Sequence, residues 1–171
     1  AVLFDEPLTV IDPHLKWQLR RKLKQIHHEL KLTLIYVTHD QVEALTFAQQ
    51  VVVMTRGRAV QVGSAADLFE QPSHTFVGHF IGSPGMNFLS GNVDGDGFHI
   101  DGMTLDLPAG RTLPAGDIKL GIRPEYVSLV PANTVGAIPM TVSRVLDVGT
   151  SVMLSANGSN HALKARLSSD L

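Results

Sequence analysis

The fold is decided by the stretch Val2-Leu3-Phe4-Asp5-Glu6-Pro7, which continues as Leu8-Thr9-Val10-Ile11-Asp12. Three apolar residues with a β-branched start predict a buried strand. The strand ends in two adjacent carboxylates, and Pro7 then stops the ladder because it has no N–H to donate. Carboxylates at the end of a buried strand are costly unless a cation or a substrate compensates them. Asp5 can hold Mg²⁺, a cation that prefers oxygen ligands, and Glu6 can orient or deprotonate a water molecule. Taken alone, the stretch is equally compatible with a strand that ends in a turn.

Composition excludes several classes of protein. The chain has 171 residues, enough for one or two domains, and its hydrophobic fraction of 44% can build a core. It has no cysteine, which excludes disulfides and thiolate metal sites. The net charge of −2 implies neither a strongly acidic nor a strongly basic partner. The chain opens inside a predicted strand without an initiator methionine, which suggests a piece of a longer protein.

A long helix is predicted from about His14 to Lys31. Asp12 is a favoured N-cap residue, and Pro13 is favoured at the first helical position. One face carries an apolar stripe, made of Leu15, Leu19, Leu23, Ile26 and Leu30. Basic side chains line the neighbouring face, and we interpret them as a solvated surface in preference to a binding site for nucleic acid or membrane.

A second strand, Thr33 to Thr38, is apolar enough to be buried on both faces. His39 follows it directly, at the kind of position where α/β folds bind ligands. The residues alone leave open a histidine that only bonds nearby backbone. Asp40 then starts a short helix that runs to Phe47, with Glu43 as the partner of the cap three residues later.

The rest of the chain changes character after Ile81. Before it we predict a hairpin, Val51–Thr55 with Ala59–Val62, and two short helices, one from Ser64 through Phe69 and one over Thr75–Ile81. Residues 82–91, rich in Gly, Pro and Ser, are predicted to be a linker. Short strands between turn residues follow and favour a small β-barrel or sandwich. The predicted strands are Phe98–Ile100, Met103–Leu107, Ile118–Ile122, Tyr126–Leu129, Met140–Leu146 and Ser151–Leu154.

These motifs together resemble a known family. Asp5-Glu6 with Asp12 resembles the Walker B segment and D-loop of the ATP-binding-cassette (ABC) ATPases, and Thr38-His39-Asp40-Gln41 resembles their switch-histidine loop. Farther on, Phe80-Ile81-Gly82 and Gly121-Ile122-Arg123-Pro124-Glu125 resemble the regulatory (TOBE) domain of import ATPases of the sugar and glycerol-phosphate type. The resemblance covers nearly the whole chain.

The resemblance implies a fold that is α/β followed by all-β. Residues 1–81 would be the C-terminal part of an ABC nucleotide-binding domain, an incomplete layer of the P-loop NTPase fold. Residues 82–171 would be the linker and an OB-like β-barrel regulatory domain, truncated at its end.

The resemblance also implies roles for particular residues. Glu6 would be the catalytic general base, and His39 would be the catalytic switch residue. Asp5 and Asp12 would belong to the nucleotide-binding site, where Asp5 would also bind the metal ion. The cofactors of the intact protein would be ATP and Mg²⁺, neither expected on this chain alone. The intact protein would be an ATPase that energises uptake of a sugar or related solute. Its partners would be a second ATPase subunit, as a homodimer or a paired subunit, and transmembrane permease subunits. The intact protein would be located in the cytoplasm, bound peripherally to the inner face of the cell membrane.

The sequence lacks other parts of such a site. It contains no G-x-x-x-x-G-K-[ST] motif, and no lysine follows a glycine. The family's signature sequence is also missing, so we expect this chain alone to be inactive.

Two alternatives remain open: a stand-alone regulatory or dimerisation module, and an OB-type nucleic-acid-binding protein that uses Phe88, Phe98 and Tyr126. We expect no nucleic-acid partner, because few basic residues follow Met86.

Overall fold

The structure, a computed structural model, describes residues 1–95, 97–106 and 113–169. The chain divides into two units, Ala1–Ile81 and Gly82–Leu171. The first mixes helices with short strands, whereas the second is built from strands and one turn of 3₁₀-helix. This arrangement confirms the predicted order of an α/β part followed by an all-β part.

Unit 1 begins with two parallel strands connected by a long helix. Its elements are β1 (Val2–Asp5), α1 (Pro13–Leu30), β2 (Leu34–Val37), α2 (Gln41–Phe47), β3 (Val51–Thr55), β4 (Arg58–Gly63), α3 (Ala65–Glu70) and α4 (Thr75–Phe80). Strands β1 and β2 pair in register from Val2 opposite Leu34 to Asp5 opposite Val37. Helix α1 ends one residue before the predicted Lys31, which adopts the left-handed conformation of a C-cap. Among the described residues, no helix has both the length and the apolar character that a membrane crossing requires.

Strand β1 was predicted to be buried and β2 to be buried on both faces, and both predictions are wrong for this structure. Their residues alternate between half-buried and exposed, and Leu3, Ile35 and Val37 are 64%, 52% and 46% exposed. The sheet they form has two strands in the described part of the chain. Alternation therefore follows from the pleat, which sends successive side chains to opposite faces.

The core of unit 1 lies farther along the chain, around the β3–β4 hairpin and the two short helices. The buried residues that form it are Val51, Val53, Leu68, Val77 and Ile81. The hairpin turn has positive φ at both Arg56 (49°) and Gly57 (73°), the geometry of a type I′ turn. The Ser64–Asp67 capping box at the start of α3 is present as predicted.

Unit 2 contains two antiparallel sheets. Its strands are β5 (Asn87–Asp94), β6 (Gly97–Ile100), β7 (Met103–Leu105), β8 (Gly116–Ile122), β9 (Thr141–Asp147), β10 (Ser151–Asn157) and β11 (Ala162–Ser168). The sheet orders are β7-β6-β5-β8 and β11-β10-β9. The larger core cluster combines the first sheet with one residue of β11, and its buried members are Leu89, Val93, Phe98, Ile100 and Leu163.

Three predictions in unit 2 differ from the structure. The linker was expected to reach Gly91, but β5 already begins at Asn87, and its Asn87, Leu89 and Val93 are buried. Residues Tyr126–Leu129 form no strand: Tyr126 ends a 3₁₀ turn that begins at Pro124, and residues 127–129 have no regular secondary structure. The strand predicted over Met103–Leu107 ends at Leu105, and Leu107 lies outside the described residues.

Candidate functional site

The carboxyl ends of β1 and β2 lie side by side. Parallel pairing continues one residue past the strands, where the Glu6 N–H donates to the Val37 carbonyl at 2.9 Å. Residues Asp5 and Glu6 therefore meet Thr38 and His39 at one edge of the sheet. Open α/β sheets bind ligands at this edge.

Glu6 and His39 form an ion pair at this edge. His39 Nδ1 lies 3.0 Å from Glu6 Oε1, and the two side chains are 69% and 43% exposed, so water reaches both. An ionised carboxylate can only accept, so the imidazole Nδ1–H donates. The hydrogen bond to Glu6 and its negative charge raise the pKa of His39, with Asp40 and Glu43 adding to the effect. The hydrogen bonds from His39 and Thr9 lower the pKa of Glu6.

Glu6 is held in place by the turn that follows it. Its φ of 44° lies in the left-handed region, which costs about 1–2 kcal/mol for a residue with a Cβ. The Thr9 hydroxyl lies 3.0 Å from Glu6 Oε2 and 3.1 Å from the Glu6 carbonyl, so it can donate to either oxygen. Thr9 was not predicted as a site residue, although a hydroxyl three residues after an acid in a turn is a usable signal.

The loop that carries His39 rests on a buried carboxylate, Glu43. This side chain was expected to complete the cap of α2; instead it points inward and the residue is 3% exposed. It accepts from Lys16 Nζ at 3.3 Å, from the Tyr36 hydroxyl at 3.0 Å and from Thr38 Oγ1 at 3.1 Å. Burial, and then the hydrogen bond to Glu43, raise the pKa of Tyr36. Asp40 caps α2 as predicted, with Oδ1 accepting from the N–H of Val42 and of Glu43.

Asp5 ends β1 with an exposed carboxylate. Among the described residues its carboxylate has no hydrogen-bond or ion-pair partner. Mg²⁺ in nucleotide sites is bound through one or two carboxylates, substrate phosphates and water, and an open carboxylate of this kind fits that role. No three His, Asp or Glu side chains within the described ranges come together as a metal site of protein ligands alone.

Asp12 is engaged in a helix cap. Its Oδ1 accepts from the His14 N–H at 2.9 Å, which caps α1 as the sequence predicts. In the part of the chain that the structure describes, no hydrogen bond joins Asp12 to Glu6 or to His39. The predicted site residues thus divide into three that share one sheet edge and one that caps a helix.

The aromatic residues considered for a nucleic-acid surface differ in exposure. Tyr126 is 60% exposed, Phe88 is half-buried and Phe98 is fully buried in the core of unit 2. A base can stack only on a ring that solvent reaches. Phe98 is therefore not available for stacking.

The sequence of this chain is similar to that of known proteins. Residues 82–127 match the family described as the MalK OB fold domain. The protein named sn-glycerol-3-phosphate import ATP-binding protein UgpC, from Escherichia coli K12, is 42% identical over 169 residues, which cover 96% of this chain and 47% of UgpC. UgpC from Pectobacterium atrosepticum is 41% identical over 170 residues, 97% of this chain and 47% of its own length. This chain spans about half the length of the curated relatives it matches. Over almost its whole length, the chain is thus similar to proteins named as sn-glycerol-3-phosphate import ATP-binding proteins.

Proposed function

We propose that this chain supplies the part of an importer's ATP site that acts on the attacking water and the γ-phosphate. The observation that carries the proposal is the Glu6–His39 pair, joined at 3.0 Å at the carboxyl edge of two parallel strands. In phosphoryl transfer the protein works by positioning and by stabilising charge. A carboxylate and an imidazole in contact with solvent are suited to both tasks.

Glu6 is the general base in this proposal. It accepts a proton from the water whose oxygen attacks the γ-phosphorus, while the bond from that phosphorus to the bridging oxygen of the β-phosphate breaks. In the observed arrangement His39 donates to Oε1 of Glu6, and the Thr9 hydroxyl lies within hydrogen-bond distance of Oε2. Each carboxylate oxygen keeps a second lone pair that can accept from a reacting water, and rotation of the exposed His39 ring toward a γ-phosphate oxygen would leave Oε1 fully open to that water. The pair seen here is then the resting arrangement of the switch.

Asp5 and Asp12 have supporting roles in the proposal. Asp5 would hold Mg²⁺, which when bound neutralises charge on the phosphates. Asp12 would lie where a second ATP-binding subunit contributes to the site. The open carboxylate of Asp5 supports the first role, whereas the cap formed by Asp12 supports only a structural one.

The remaining proposals concern the intact protein. Residues 1–81 would be the C-terminal part of its nucleotide-binding domain, and residues 82–171 its linker and regulatory domain. It would hydrolyse ATP, pair with a second such subunit and drive transmembrane permease subunits from the cytoplasmic face of the membrane. The solute would be a sugar or glycerol phosphate, since two relatives are named for sn-glycerol-3-phosphate import.

A hybrid subunit tests the function. In it, this chain replaces the matching segment of Escherichia coli K12 UgpC, whose remaining part is expected to supply the phosphate-binding loop. The hybrid should hydrolyse ATP, whereas this chain alone should not. Glu6→Gln should keep ATP affinity and reduce kcat by about 10²–10⁴-fold, because the amide keeps the shape but cannot take the proton.

Glu29→Gln is the matched control, because Glu29 lies on α1 and accepts only from Gln25 there. Its turnover should equal that of the parent hybrid. A Glu6→Gln hybrid as fast as the parent would remove the general-base assignment.

A further inference from the structure

We propose that Glu43 is a positioning residue that fixes the backbone on both sides of His39, so that only the imidazole ring moves between partners. The inference rests on the function proposed above, because His39 has a catalytic task only there. Glu43 itself would touch neither nucleotide nor water.

A hydrogen-bonded chain connects Glu43 to both neighbours of His39. Oε2 of Glu43 accepts from Thr38 Oγ1 at 3.1 Å, and the same hydroxyl oxygen accepts from the Asp40 N–H at 3.0 Å. The Thr38 hydroxyl thus donates its one hydrogen to Glu43, and one of its lone pairs accepts from the Asp40 N–H. Residues 38 and 40 are held by one buried carboxylate, while the ring of His39 between them stays exposed.

The neighbours of Glu43 require a carboxylate at this position. Lys16 Nζ, the Tyr36 hydroxyl and the Thr38 hydroxyl all donate, and they approach both oxygens. A glutamine would offer one acceptor oxygen and an NH₂ group, and that NH₂ would face a donor on one side. Buried groups left unpaired in this way are destabilising. Lys16, 3.3 Å from Oε1, also compensates the charge that burial would otherwise penalise.

Three hydroxyl deletions separate positioning from stability. Thr38→Val removes the link between Glu43 and the His39 loop while keeping the shape and the Lys16 pair. Tyr36→Phe removes a comparable bond to the same oxygen but on β2, away from the loop. Thr46→Val removes a hydroxyl that bonds within α2 and serves as the control for unchanged turnover.

The first measurement uses the chain as it is and needs no turnover. Imidazole ¹⁵N signals of His39, and the nuclear Overhauser contact between its ring and the Glu6 side chain, are recorded for each variant. Glu43→Gln and Thr38→Val should shift the ring signals and weaken the contact, whereas Tyr36→Phe should leave both close to the parent. Methyl signals of the unit 1 core report whether each variant is folded.

The second measurement uses the hybrid with UgpC. Thr38→Val and Glu43→Gln should lower kcat about 10- to 100-fold with KM for ATP unchanged, the size expected when a reacting group is misplaced by about 1 Å. Tyr36→Phe should lower kcat by less than about threefold at a similar loss of thermal stability. This split between kcat and KM is not expected from a purely structural role.

Each outcome is decisive. If Glu43→Gln does not fold, Thr38→Val decides alone. A folded Thr38→Val chain with unchanged His39 signals overturns the proposal, and so does an equal loss of kcat in Tyr36→Phe. If the parent hybrid has no turnover, the function proposed for the site fails, while shifted His39 signals in the chain would still support the positioning by Glu43.

Discussion

The side chain of Asn87 pairs with the backbone of Lys164 through both ends of its amide. Nδ2 donates to the Lys164 carbonyl and Oδ1 accepts from its N–H, each at 2.8 Å. Asn87 begins β5 in the first sheet of unit 2, and Lys164 lies in β11 of the second. Because Asn87 is only 7% exposed, water cannot replace these bonds, and the amide joins the two sheets as a backbone group would.

Replacing Asn87 should therefore destabilise unit 2. We expect Asn87→Ala to lower its free energy of unfolding by about 2–4 kcal/mol, because two backbone groups of Lys164 lose their partners. Lys164→Ala is the matched control, since it keeps the same backbone groups and should change stability by less than about 0.5 kcal/mol. Urea unfolding and hydrogen exchange of the Lys164 amide measure both; similar values for the two variants would contradict the role of the amide.

The Glu6–His39 pair should be visible in a pH titration. In buffer without divalent cations, the His39 ring should titrate at a higher pH than in the Glu6→Gln variant, because Glu6 raises its pKa. The pair stabilises fully only between the ordinary values of 4.5 for Glu and 6.5 for His. Its contribution is lost as the pH rises through the raised pKa of His39, and as the pH falls through the lowered pKa of Glu6.

Salt provides the check on this titration. Both groups are exposed, so added NaCl should screen the attraction and reduce the difference between the parent and Glu6→Gln. Proton NMR of the His39 ring gives the titration curve directly. Equal midpoints for the parent and the variant at low salt would mean that the contact is not kept in solution.

Gly91 should tolerate no side chain. A Cβ built there would lie 2.5 Å from Phe98 Cζ and would also collide with the His99 carbonyl. We expect Gly91→Ala to cost about 1–3 kcal/mol, as overpacking does in a filled core. Gly95→Ala is the control, because the same construction at Gly95 meets nothing within 4 Å. Thermal unfolding of both variants tests this, and equal melting temperatures would rule out the close approach.

Local signals predicted the helix starts well. Asp12 caps α1 and the Ser64–Asp67 box starts α3, because each depends on groups within one turn of backbone. The sequence also indicated that the ends of two strands carry the candidate site, since Asp5, Glu6 and His39 directly follow apolar runs. Their catalytic roles came only from the family resemblance and stay proposals.

The failures arose where the contacts join different helices and strands. Gly91 was assigned to a linker because glycine is common in turns. In the structure a glycine fits at this position because the ring of Phe98 lies against the backbone of β5 and leaves no room for a Cβ. Glu43 was assigned to a cap because it follows Asp40 by three residues. In the structure its carboxylate is buried and accepts hydrogen bonds from Lys16 and Tyr36 instead. Neither contact leaves a local pattern that sequence periodicity could detect.

Substitutions at Asp12 can distinguish a role as a helix cap from a role at a subunit interface. Asn and Asp are about equally good N-caps, so Asp12→Asn should keep the stability of α1, whereas Asp12→Ala should cost about 1 kcal/mol through the lost bond to the His14 N–H. If Asp12 acts only as a cap, the Asn variant of the hybrid with UgpC should turn over ATP like the parent. If its charge acts at a subunit interface, as the family resemblance implies, Asp12→Asn should lose turnover while melting at the parent's temperature. Circular dichroism melts and steady-state ATPase rates on the two variants distinguish the cases. Loss of turnover in Asp12→Ala alone would assign the residue to the helix cap.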